Sequence, residues 1–200
     1  PYADWTDSTA IYLNTSAQGK VSPDGQPVIA SDVVRFPLLL RLNTTNFSDY
    51  ASVKADGSDL RFASAGGEEL PYQIERWGAD SAEVWVMLDT VRGNNLVQYF
   101  MMYWGKADAA SASNGSQVFN SGDGFAGVWH LGPDFDDSSP AARHGTDSVA
   151  STGKFGAVGQ GQEFREATND HIGIPADAPV TTAFTISFWV YIDSLVYSGG

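Results

Sequence analysis

The chain contains no cysteine. That excludes disulfides, zinc–thiolate sites and cysteine nucleophiles, but it does not fix the compartment, since exported proteins also occur without cysteine. Basic residues are scarce: 11 Lys plus Arg stand against 24 Asp plus Glu, a formal net charge of −13. Nucleic-acid binding draws most of its affinity from Lys and Arg neutralising phosphates, and no basic patch or stripe occurs, so no nucleic-acid partner is expected. An acidic surface suits solubility, cations or neutral sugars instead. No apolar run approaches the ~18 to 20 residues that span a bilayer, so no membrane insertion is expected of this segment. The chain also lacks an initiator Met. It opens at Pro1-Tyr2-Ala3, the form left by signal-peptide removal or equally by excision of a segment, and processing is the reading adopted.

What the chain does have is apolar surface and turns. Hydrophobic residues make up 42% and aromatics 12% of it, enough to fold around a core. The 21 Gly and 9 Pro are spread at short intervals, which suits short strands and tight turns and points to an all-β fold. Within 35–42, Leu38, Leu40 and Leu42 fall on one face, with Leu39 and Arg41 opposite. Strands are expected at Leu60 to Phe62 and Leu70 to Trp77, joined by a hairpin turn at Gly66-Gly67. Ala82 to Leu88 alternates, and Leu96 to Trp104 is apolar on both faces, as a central sandwich strand would be.

After Gly105 the chain turns small and polar, so 1–106 is read as a β-sandwich domain, 107–116 as a linker with a short helical turn, and 117–200 as a second module. In that module Gly127 to Leu131 is expected as a short strand and Phe184 to Ile192 as the clearest one, with Phe184, Ile186, Phe188, Val190 and Ile192 on one face. So few strands leave the second module cut short of a closed sandwich. Either the chain is a fragment or its strands are completed by edge pairing.

The succession Asp56-Gly57-Ser58-Asp59-Leu60-Arg61-Phe62, Leu70-Pro71-Tyr72-Gln73-Ile74-Glu75, Val84-Trp85-Val86 and Met102-Tyr103-Trp104-Gly105-Lys106 resembles an uncharacterised exported β-sandwich family. That family occurs in large bacterial surface proteins and in fusions to the ExbB/TolQ-type proton channel. Gly127 to Leu131, Asp137-Ser138-Ser139, His144-Gly145-Thr146, Asp170 to Pro175 and Phe184 to Tyr191 resemble the opening of a concanavalin A-like, laminin-G-like module, which commonly follows it. The resemblance implies an antiparallel, jelly-roll-like β-sandwich followed by a partial concanavalin A-like sandwich, and for function only a class.

Calcium is the cofactor that this resemblance implies, with Asp134, Asp136, Asp137 and Asp170 as candidate ligands. The local spacing lacks the Gly and closing Glu of an EF-hand loop, so its signal is weak and a solvated acidic loop is the plainer explanation. For sugar or protein contact the candidates are Trp77, Trp129 and His130, with Trp77, at a strand end beside Gly78, the best placed to stand exposed. A satisfied core or edge role is the plainer reading of His130. No Glu-x-Asp-x-x-Glu strand occurs, Glu75 stands alone beside Arg76, and the histidines 130, 144 and 171 show neither metal-ligand spacing nor a Gly-x-Ser-x-Gly serine to serve. No catalytic residues are assigned. The expectation is a non-catalytic recognition or adhesion module, extracellular, at the cell surface or periplasmic, binding glycans or protein partners. The alternatives are a self-associating filament or stalk subunit completed by strand exchange, and a polysaccharide hydrolase fragment.

Overall fold

A computed structural model describes residues 1–19, 29–147, 151–175 and 183–192. Six strands build the first half: β1 (Asp7–Leu13), β2 (Val33–Asn43), β3 (Arg61–Ser64), β4 (Tyr72–Trp77), β5 (Ser81–Val91) and β6 (Gln98–Trp104). They form two antiparallel sheets, ordered β1-β6-β3 and β2-β5-β4. Alternation decides what each strand buries: in β6, Phe100, Met102 and Trp104 turn into the core, while Tyr99, Met101 and Tyr103 face outward. The inward set, with Phe62 of β3, packs against Leu42, Tyr72, Val84, Val86 and Leu88 of the other sheet. At roughly 1.5–3 kcal/mol for each fully buried large apolar side chain, this layer is the main support of the fold. The expected all-β antiparallel sandwich is what forms.

Two local expectations are corrected. The Gly66-Gly67 turn folds 62–64 back on 68–70, with Ser64 N donating to Glu68 O at 2.8 Å, Leu70 N to Phe62 O at 2.9 Å and Ala63 bridged to Glu69, yet this hairpin ends there and β3 and β4 do not pair. They lie in opposite sheets, because Leu70 and Tyr72 are drawn into the core and carry the chain across the sandwich. Strand β6 is not covered on both faces either: Tyr99 remains 36% exposed.

The 107–116 segment, expected as a linker, lies against the sandwich. Its small side chains bury little, so its backbone finds partners instead. Lys54 Nζ donates to Ala109 O at 2.9 Å, Arg61 Nη2 to Ala110 O at 2.8 Å, and Asn114 N to Tyr72 O at 2.7 Å. The expected helical turn follows as α1 (Gly115–Val118), capped by the Asn114 side chain accepting from Ser116 N. Val118 and Phe119 then cover Met87 on the outer face of β5.

The second half holds short ribbons: β7 (Thr146–Asp147) pairs with β10 (Ile172–Gly173), and β8 (Ser151–Phe155) with β9 (Gln160–Glu163). The strand expected at Gly127 to Leu131 is reduced to a single bridge, Trp129 to Asp137. Residues 184–192 are not a paired strand: Phe184, Ile186, Phe188, Val190 and Ile192 are all exposed. Alternation selects a face only once a neighbouring strand supplies hydrogen bonds, and none among the described residues does so here.

Candidate functional site

Chemistry-bearing side chains converge first on the outer face of β2-β5-β4. Between Ile74, opposite Val84, and Arg76, opposite Glu83, the register of β4 shifts, so Glu75 is an inserted residue and is re-aimed by the bulge. Arg76 pairs with Glu83 through two contacts, Nε to Oε2 at 2.7 Å and Nη2 to Oε1 at 3.2 Å. Glu75 Oε2 accepts from Trp85 Nε1 at 3.0 Å and lies 2.5 Å from His130 Nδ1. The other ring nitrogen of His130 is 3.2 Å from Gln73 Oε1, and Gln73 Nε2 donates to Ser138 Oγ at 2.9 Å. Phe119 stands against both rings, at 5.5 Å from His130 and 5.7 Å from Trp85. Glycine is required at 159, where φ is +58 and an added Cβ would stand 2.7 Å from Glu75 Oε1. The Glu75 side chain is 3% exposed and His130 18%. A carboxylate and an imidazole so placed fasten the 119–138 segment to the sheet.

The four carboxylates proposed for calcium already have partners within the protein. Asp137 accepts at Oδ1 from Val128 N and Ser139 N, both at 2.9 Å, and at Oδ2 from Ser139 Oγ at 2.9 Å and Arg143 N at 3.0 Å. Burial pushes its pKa up, and these hydrogen bonds outweigh burial, so the group is held below the usual carboxylate range. Asp170 accepts from Thr168 Oγ1 at 2.6 Å and from Arg165 N and Nε, both at 3.1 Å. It too is held low, first by the Thr168 hydroxyl, against a smaller effect of burial, and then by Arg165. Asp134 accepts from Asp136 N at 3.2 Å, and Asp136 sits 3.0 Å from His144 Nδ1. Among the described residues no three His, Cys, Asp or Glu side chains gather as a metal site.

The indoles are likewise engaged. Trp77 stacks on Tyr50 at 5.0 Å and 8° and packs against the core, and Trp129 Nε1 donates to Arg143 O at 2.8 Å. Neither is an open platform, because the flat apolar ring that would attract a sugar also attracts the protein's own side chains.

Open aromatic surface lies elsewhere, on the outer face of β1-β6-β3. Tyr12 and Tyr99 are register partners across β1 and β6, with ring centroids 5.5 Å apart and planes at 44°. Tyr12 is 68% exposed, and Val97 beside them 72%. Tyr99 also lines an open groove of about 430 Å³, whose floor includes Leu13, Leu70 and Phe100 and whose rim includes Asp89, Thr90 and Arg92. The rim is braced: Gln98 Nε2 donates to Thr90 O at 2.6 Å and Gln98 Oε1 accepts from Arg92 N at 2.7 Å. Thr15 Oγ1 donates to Arg92 O at 2.6 Å and accepts from Asn95 N at 3.0 Å. Farther along the face, Tyr103 is covered by Tyr2, whose ring also meets Trp5, and Trp5 is held by Arg61 at 5.1 Å and Lys106 at 5.4 Å. Burial, with Glu69 next, pushes the Tyr2 phenol up to about 12. A second groove of about 460 Å³ runs between β1 and β2, past Asp7, Asn46 and Asp49.

Comparison with known families gives a match over part of the chain. Residues 56–132 match a domain of unknown function, DUF2341. The resemblance to an uncharacterised domain therefore holds over this span, which takes in β3 to β6 and the Glu75–His130 contact. It leaves out β1 and β2, so Tyr99 is inside the matched span and Tyr12 outside it. Neither the curated proteins nor the solved structures give a match.

Proposed function

We propose that the chain is a non-catalytic recognition module acting outside the cytoplasm, as part of a surface or periplasmic protein, and that it binds glycans. The observation that carries this reading is the pair of open tyrosine rings leading into a braced groove with a mixed polar rim, the combination that stacks on a sugar face while hydrogen-bonding its hydroxyls. Acidity supports a neutral ligand. Among the described residues that line the groove Asp89 is the one carboxylate, whereas glycoside hydrolysis calls for a pair, which favours binding over turnover. The likeness to an exported family, with its channel fusions and its following laminin-G-like module, supports the location and an adhesive role. Among the described residues no helix is long and apolar enough to cross a membrane.

The test is a glycan array probed with the purified chain and with Tyr99→Ala, each with and without EDTA. Retention that falls in the variant and ignores EDTA is expected. Hydrolysis of any array polysaccharide that disappears on changing a single carboxylate would overturn the reading.

A second reading is assembly by strand exchange, favoured by the uncharged, exposed 184–192 segment, a template for edge pairing. Light scattering separates the two, since a strand-exchanging subunit grows in mass with concentration and loses that growth in Phe188→Asp.

A further inference from the structure

The geometry points to a more specific ligand: we infer that the Tyr12–Tyr99 face and its groove take a single, uncharged polysaccharide strand along its length, rather than a crystalline polysaccharide surface or an acidic polymer. The inference rests on the glycan reading above. The first reason is the tilt of the rings. At 44° to one another, they cannot both lie flat on a planar lattice of chains, but each can stack on one unit of a chain that twists. The 5.5 Å between centroids is close to the length of one hexose unit, so neighbouring units of one chain meet neighbouring rings.

The second reason is charge. At the groove rim Arg92 is engaged by Asp32 at 2.8 Å, while Asp89 makes only a 3.4 Å contact to Arg35 and keeps its side chain 64% exposed. The net field there is that of a carboxylate on a chain of formal charge −13, which repels uronic or sulfated sugars and accepts hydrogen bonds from neutral hydroxyls. The third reason is shape. Tyr99 belongs both to the ring pair and to the groove lining, so rings and groove form one continuous surface.

Titration calorimetry and affinity gels with the full chain test this, using soluble xylan, glucomannan, amylose and hydroxyethyl cellulose as neutral probes, polygalacturonate as the acidic one, and sedimentation with crystalline cellulose and chitin as the surface arm. Binding to at least one neutral soluble chain is expected, weakened about tenfold by Tyr12→Ala and again by Tyr99→Ala, with no retention on the crystals. Tyr12 is exposed, so its variant folds, and an unchanged urea midpoint checks that. Preference for crystals or for polygalacturonate overturns the inference and leaves the glycan reading standing. Neutral-chain binding that ignores both tyrosine substitutions overturns the placement. Silence across every probe removes the glycan reading itself.

Discussion

At the residue scale, two acidic side chains show how far identity underdetermines role. Asp137 is a candidate metal ligand through the laminin-G-like resemblance, and its four hydrogen bonds from Val128, Ser139 and Arg143 make it a staple of its own loop. Because folding holds its carboxyl below the ordinary value of 3.8, its stabilisation is present above that pH and fades as acid protonates the folded form. Asp137→Asn is therefore expected to cost roughly 1–3 kcal/mol near neutrality, in urea unfolding, with the gap from wild type closing below pH 3.8. Glu75 reads as isolated from the sequence and is instead the partner of His130 and Trp85. Glu75→Ala leaves the Trp85 indole N–H and His130 Nδ1 without their acceptor, and a loss of about 1–3 kcal/mol is expected. A midpoint within error of wild type would show that the contact stabilises nothing.

At the element scale, β2, β5 and β6 were legible because their core-facing residues alternate, as Leu38, Leu40 and Leu42, Val84, Val86 and Leu88, and Phe100, Met102 and Trp104 do. Strand β1 was not, since its outward positions carry Ser8, Ala10 and Tyr12, a mixture without contrast against Thr9, Ile11 and Leu13. The β4 bulge left no local signature either; it is set by pairing with β5, which no single strand encodes. The indoles misled for a related reason: whether Trp77 is open depends on Tyr50, 27 positions away by their numbers. Gly159 belongs to this scale too, as the point where the β8–β9 turn meets β4. Gly159→Ala combines left-handed strain with a collision at Glu75, so a destabilisation above about 1 kcal/mol is expected, and hydrogen exchange should quicken at Gly156 N, which donates to Gly159 O.

At the scale of the whole molecule, the two sheets present different outer faces. That of β2-β5-β4 is closed by α1, Phe119, His130 and Gly159, and that of β1-β6-β3 is left open at Tyr12 and Tyr99. Recognition is proposed for the open face because, among the described residues, the Tyr12–Tyr99 rings stand accessible there beside the groove that Tyr99 lines. NMR shift mapping with a neutral soluble polysaccharide tests that assignment most directly. The expected result is a set of perturbed amides around Tyr12, Val97 and Tyr99, with those of Trp77, Trp129 and His130 unmoved; perturbation centred on Trp77, Trp129 or His130 would contradict it.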